Sequence, residues 1–264
     1  MLMEVMDIGY QHMLLIYGLL LIPLCICYVL KIAVIKEFFT AVVRMSVQLA
    51  LVALYLGFIF RINSLWVNLL WILFMICIAD ASILRSSGLR LSRFFPVLFA
   101  GIAVGTLLVV GVLVFLAVRP EPLYDARYLI PVTGMVLGNC LRANVISLER
   151  FYATIRKNEK EFLTYLLMGA TLSEAILPYL REALKAALAP TITTMATLGL
   201  VSLPGMMTGQ ILGGSDPAVA IKYQIAIMIA IFTATVITAA INIGFSLRTS
   251  FNRYQVLDKS IFAG

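Results

Sequence analysis

Two short stretches of this chain echo each other. Residues 134–141 read GMVLGNCL and residues 205–212 read GMMTGQIL, so both follow the pattern Gly-Met-x-x-Gly-amide-x-Leu. Helix positions four apart share a face. Met135 and Asn139 therefore present a thioether and an amide one turn apart, as do Met206 and Gln210, with Met207 beside them. Thioethers suit soft transition metals, and amide oxygens serve as weaker co-ligands. The same methionines also read as flexible filler in a helix seam. Gly134 with Gly138, and Gly205 with Gly209, make two GxxxG pairs that would let another backbone approach closely.

Charged groups inside apolar runs are the next candidates. Arg44 and Asp80 fall at similar depth in neighbouring runs, and Gln48 follows Arg44 by one turn. The pair reads either as a salt bridge fixing helix register or as part of an ion gate. Arg142 reads as a side chain snorkelling to the membrane surface. Other chemistries are closed off. With His12 as the sole histidine, neither a histidine metal centre nor a Ser-His-Asp triad is available. Cys25 and Cys27 diverge by about 200° on a helix and read as apolar filler. No phosphate-binding GxxxxGK[ST], GxGxxG or HExxH motif is present, so any nucleotide hydrolysis belongs to another chain.

The elements that position these residues follow from composition. Of 264 residues 62% are hydrophobic and 12% are charged, where soluble domains run near 45–50% and about 25%. Mean hydropathy is +1.02. The chain reads as an all-α, polytopic membrane protein forming one transmembrane domain over residues 1–264. This excludes a nucleic-acid-binding domain despite the formal charge of +7. Crossing a bilayer as a helix takes about 20 apolar residues. Seven stretches qualify: 12–30, 38–60, 65–84, 94–118, 128–148, 191–213 and 218–246.

Basic residues sort between the two sides. Lys31, Lys36, Arg85, Arg90, Arg93, Arg150, Arg156, Lys157, Lys160, Arg181, Lys185, Arg248, Arg253 and Lys259 fall on one side. Arg61, Arg119, Arg127 and Lys222 fall on the other, and the N-terminus carries Glu4 and Asp7. The positive-inside rule then places the N-terminus outside and the C-terminus in the cytoplasm.

One connector, 149–190, is long and charged. Residues 159–168 predict a helix with Phe162, Leu163, Leu166 and Leu167 on one side, ended by Gly169. Thr171-x-x-Glu174 predicts a capping box for a second helix running to Pro190. A helix, glycine elbow and helix on the cytoplasmic face suit the docking of a partner.

The stretch 198–212, LGLVSLPGMMTGQIL, continuing to Pro217 and Tyr223-Gln224, closely resembles the signature of FetB-like permeases. These are membrane subunits of ABC transporters implicated in bacterial iron export, with plant relatives linked to aluminium tolerance. Arg44-x-x-x-Gln48-Leu49, 134–139 and Gly169-Ala170 extend the match over almost the whole chain. The resemblance implies a non-catalytic permease in the bacterial plasma membrane, paired with two copies of a separate cytoplasmic ATPase and a second copy of itself. ATP and Mg would then sit on the ATPase, with no cofactor in this chain. The elbow would supply the coupling helix, with Glu161, Leu166, Gly169, Ala170 and Glu174 at the contact. Glu161 and Gly169-Ala170 loosely resemble the E-A-A…G motif of importers, but at a spacing of eight rather than six. Met135, Asn139, Met206, Met207, Gln210 and Gln48 would line the path of iron or a related metal. A secondary ion transporter or channel without an ATPase, using Arg44 and Asp80, is the alternative.

Overall fold

In hydrocarbon every backbone N–H and C=O must find its partner within the segment, so long apolar runs fold as helices. The computed structural model describes residues 9–252 and 254–262. Glu4, Asp7 and Arg253, which enter the charge argument, lie outside the described residues, as does the side chain of Lys259. The helices are α1 Tyr10–Gly18, α2 Leu21–Val29, α3 Ile35–Ile62, α4 Leu65–Ser86, α5 Leu91–Gly111, α6 Ala126–Lys157, α7 Glu159–Leu167, α8 Leu172–Thr197, α9 Gly205–Leu212 and α10 Pro217–Ser250. A π-helical stretch, Val112–Val118, prolongs α5. Among the described residues extended backbone pairs only as isolated bridges.

Six stretches are long and apolar enough to cross a bilayer: Gln11–Val29, Ile35–Ile62, Leu65–Ser86, Leu91–Val118, Ala126–Lys157 and Pro217–Ser250. The protein is an all-helical polytopic membrane protein. The predicted span 191–213 is not a single helix, however. Nor does Pro190 end the second cytoplasmic helix, because α8 runs through Pro178 and Pro190 to Thr197. A proline removes one donor, and membrane helices tolerate this where side chains and neighbours compensate. The break falls later. Gly199 adopts φ +87°, and Leu203, preceding Pro204, is biased out of the helical region. Helix α9 then restarts at Gly205.

Capping fixes where the two longest helices begin. The Asp125 carboxylate accepts from Arg127 N at 3.0 Å, and the Asp216 carboxylate from Ala218 N at 2.7 Å. With 32 and 34 residues, α6 and α10 extend about 50 Å, well beyond a hydrocarbon core of about 30 Å. Residues 149–157, expected in the connector, are thus the last turns of α6.

Helices α4, α5, α6 and α10 pack around one apolar core that includes Ile76, Ile83, Phe94, Leu98, Val136 and Ile243. Helix α8 lies along α6, where Arg150 and Glu182 form an exposed ion pair at 2.6 Å. Helices α1–α3 stand apart. Of α3 only Ile59 is buried, beside Ala126 and Ile130 at one end of the bundle. At that end the Asn63 amide oxygen accepts from Ala126 N at 3.0 Å, and Asn68 Nδ2 donates to the Tyr124 carbonyl at 2.7 Å.

The opposite end is clasped by the C-terminal segment. Arg90 N donates to the Ile261 carbonyl at 2.9 Å, and the Arg156 guanidinium lies 5.6 Å from the Phe262 ring centre. Arg93 Nη1 meets Asp258 Oδ2 at 2.9 Å and also donates to Ser260 Oγ. Hydrogen bonds from the Ser260 side chain and backbone, then from Arg93, hold the Asp258 carboxyl down at about 2. A carboxyl depressed on folding contributes stability above its ordinary value, and this is lost as pH falls through the folded value. The clasp is therefore expected to loosen between about pH 4 and pH 2. Asp258→Asn should produce the same loosening at neutral pH. Faster amide exchange at residues 257–262, with α10 unchanged, is the readout.

Candidate functional site

Helices α6, α8, α9 and α10 enclose a cavity of about 560 Å³. From α6 come Met135, Asn139 and Arg142; from α8, Pro190, Thr191 and Thr194; from the start of α9, Gly205 and Met206; from α10, Gln224 and Met228. The predicted one-turn pairing of thioether and amide on α6 therefore faces this space. Asn139 Nδ2 donates to the Met135 carbonyl at 2.8 Å, which orients the amide. Thr194 is likewise tied to its own helix, donating to the Pro190 carbonyl at 3.0 Å.

The echo on α9 behaves differently. Met206 lines the cavity, but Gln210 does not, and its Oε1 is buried without a hydrogen-bond partner. Met207 is buried and also lies off the cavity lining. The break at 198–204 sets the orientation of α9 independently of α8, so spacing alone does not aim both of its groups inward. Two lining residues were not marked as site residues by the spacing argument. Gln224 is only 5% exposed and makes no hydrogen bond among the described residues. Arg142, read as a snorkelling side chain, borders the cavity and forms no ion pair or hydrogen bond among the described residues. An amide and a guanidinium inside apolar runs were the available signals.

Gln48 lies elsewhere. It borders a larger, mostly apolar groove of about 1040 Å³ between α3, α4 and α6, together with Trp71, Met75, Gly134 and Gly138. Arg44 is exposed on α3, and Asp80 is fully buried in α4 with neither carboxylate oxygen partnered. The expected Arg44–Asp80 salt bridge is absent; ion pairs among the described residues are Arg93–Asp258 and Arg150–Glu182. Matching depth does not join them because α3 meets the bundle only at its far end.

The expected glycine seam also differs. Gly138, Gly205 and Gly209 face open space, and a Cβ on Gly134 would meet only the Met75 methyl at 3.3 Å. Close approach occurs instead at Gly101 and Gly105 of α5 against α10. A Cβ on Gly101 would fall on Asn242 Oδ1, and one on Gly105 would lie 2.5 Å from Thr238 Cγ2. Asn242 and Thr238 belong to a buried polar ladder. Asn144 Nδ2 donates to Thr238 Oγ1 at 3.0 Å, and Asn242 Nδ2 donates to Asn144 Oδ1 at 2.7 Å. One turn further, the Tyr152 hydroxyl donates to Ser246 Oγ at 2.6 Å. Such bonds, made in hydrocarbon, fix the register of α6 against α10. Thr238, Asn242, Ser246 and Ser250 recur every four residues, and that stripe was its legible trace.

The elbow has the predicted local form. Gly169 adopts φ +89°, the left-handed conformation open to glycine. In the capping box, Thr171 N donates to Glu174 Oε2 at 2.8 Å and Glu174 N donates to Thr171 Oγ1 at 3.3 Å. These bonds hold the Glu174 carboxyl below its ordinary value. Phe162 anchors α7 against Tyr179 and Phe251. Leu167, expected on that apolar face, is 88% exposed instead, beside Met168 at 78%. The glycine turn carries both side chains outward. The Tyr165 hydroxyl donates to Glu161 Oε1 at 3.1 Å, while Leu166 is half-buried.

The sequence profile of an uncharacterised protein family, UPF0014, matches residues 10–251. The "UPF0014 membrane protein slr1647" of Synechocystis is 35% identical over 81% of this chain and 83% of its own length. The "Probable iron export permease protein FetB" of Escherichia coli is 30% identical over 90% of this chain and 91% of its own. "Protein ALUMINUM SENSITIVE 3" of Arabidopsis thaliana is 33% identical over 79% and 75%. No solved structure matches. A profile match over nearly the whole chain, with such relatives, makes this protein a member of the UPF0014 family of membrane proteins.

Proposed function

We propose that this chain is the permease subunit of an ATP-driven exporter, with its basic end in the cytoplasm of a bacterial plasma membrane. A separate ATPase, in two copies, docks on the elbow at 158–171 and binds ATP and Mg. This chain contributes the path and catalyses no reaction. One observation carries the reading: α8 is a single helix with the capped elbow at one end and a wall of the cavity at the other. Thr171 and Glu174 start it, and Pro190, Thr191 and Thr194 face the cavity. Movement imposed at the elbow is thereby delivered to the cavity. The break at 198–204 leaves α9 and Met206 free to move relative to α8.

The exposed Leu167 and Met168, flanked by Glu161, Leu166 and Ala170, give the ATPase an apolar knob to receive. The E. coli relative's name supports iron or a related metal as cargo. A second copy of the chain covers α3, because Arg44 and Gln48 exposed in hydrocarbon are costly. Asp80, buried and unpartnered, favours a second reading, a secondary transporter that moves protons without an ATPase. Co-purification separates the two. The exporter reading expects one ATPase per permease chain, with retention lost on Leu167→Asp. Absence of any bound ATPase under mild extraction would put the Asp80 reading first.

A further inference from the structure

We infer that the cavity between α6, α8, α9 and α10 takes its cargo as a net anion, a carboxylate or phosphate species able to carry a metal, rather than as a bare cation. The inference rests on the reading of this cavity as the cargo site. Its lining includes one charged side chain, Arg142, and no Asp or Glu. Arg142 has no carboxylate or hydrogen-bond partner among the described residues, so its charge is available to a ligand. A bare divalent ion entering here would meet a guanidinium with no acid to offset it. Among the described residues no group of three His, Cys, Asp or Glu side chains is placed to hold a metal ion.

Size points the same way. About 560 Å³ is roughly twenty times the ~30 Å³ share of a water molecule, whereas a bare ion needs ligands closing around it. The volume lies in the range of small-molecule sites. Gln224, 5% exposed and without a hydrogen bond among the described residues, adds a polar group toward the other end of the cavity from Arg142. A guanidinium fork is suited to two oxygens of one oxyanion. Met135, Met206 and Met228 then offer soft apolar contact to the carbon skeleton of the ligand.

The test uses the permease–ATPase complex in lipid nanodiscs and equilibrium binding of labelled iron. Iron is supplied either as ferric citrate or as reduced ferrous ion without chelator. Ferric citrate is expected to bind and ferrous ion not to. Arg142→Gln should weaken ferric citrate binding by about ten- to a hundredfold, the loss of one charge-assisted contact. Arg142→Lys should restore most of the affinity, which a purely structural role would not predict. Displacement by metal-free citrate alone assigns a carboxylate chelate. Displacement by inorganic phosphate or a nucleoside-diphosphate sugar assigns a phosphate ester; either result upholds the anionic class. Ferrous ion binding that tightens in Arg142→Gln overturns the proposal and leaves the permease reading standing. If neither form binds while the ATPase stays associated, the inference falls and the permease reading stands; a complex that holds no ATPase removes both.

Discussion

Replacing Gly101 with alanine is expected to destabilise the helix bundle by about 1–3 kcal/mol, and valine by more. The added Cβ would occupy the position of Asn242 Oδ1. Asn242 has little room to yield, since its Nδ2 is committed to Asn144, which in turn donates to Thr238. The substitution therefore forces apart α5 and α10 or breaks a buried polar ladder, and both outcomes are costly in hydrocarbon. Gly105→Val should act similarly through Thr238. Gly244 of α10 provides the control, because a Cβ there meets nothing within 4 Å. Gly244→Ala is expected to be neutral or to stabilise by up to about 1 kcal/mol through helix propensity. Thermal unfolding in detergent, followed by loss of monodisperse protein, compares the three. Equal midpoints for Gly101→Ala and wild type would show that α5 and α10 are not packed this way.

Gly169→Val is expected to uncouple ATP hydrolysis from transport while leaving the bundle folded. Residue 169 sits at φ +89°, where a β-branched side chain is strained by about 1–3 kcal/mol. Nothing crowds the position, so the cost is conformational and falls on the elbow itself. The turn would relax toward negative φ and re-aim Leu167 and Met168 relative to α8. Substrate-stimulated ATPase activity should drop to the basal level, with the variant still inserted and monodisperse. Gly169→Asn, which tolerates left-handed backbone better, should keep much of the stimulation. Wild-type coupling in Gly169→Val would remove the elbow from the mechanism.

These two glycines also mark what sequence reasoning reaches. Gly169 was legible because its neighbours carry their own signal: an apolar helix face before it and Thr171-x-x-Glu174 after it, all within a few residues. Helices in the bilayer were legible for the same reason, since runs of hydrocarbon length have one backbone solution. Gly101 was not marked, although it forms a GxxxG pair with Gly105. Spacing identifies a small face, and only the tertiary arrangement shows which small face meets a neighbour. Gly134 and Gly138 have the same spacing and border an open groove.

Within the candidate site, Met135 and Asn139 share a face on one uninterrupted helix and reach the cavity together. Met206 and Gln210 have that spacing too, but α9 is short and freed from α8 by the break at 198–204, so only Met206 arrives. Arg44 and Asp80 were matched by depth, yet depth fixes one coordinate and α3 diverges from α4 in the others. Gln224 and Arg142 are single polar groups without a repeat around them. Their part in the cavity emerges only when four helices close on the same space.

On this reading, ATP acting at the elbow changes access to the cavity through α8. The labelling rate of Thr194→Cys by a membrane-impermeant thiol reagent measures that access. The variant is placed in a background lacking Cys25, Cys27, Cys77 and Cys140, and the permease is reconstituted with its ATPase. Labelling from the cytoplasmic side should be fast without nucleotide and fall when ATP is trapped, with labelling from the outside rising correspondingly. Gly169→Val should abolish the change. A labelling rate that is the same from both sides with and without ATP would show that α8 does not carry movement from the elbow to the cavity.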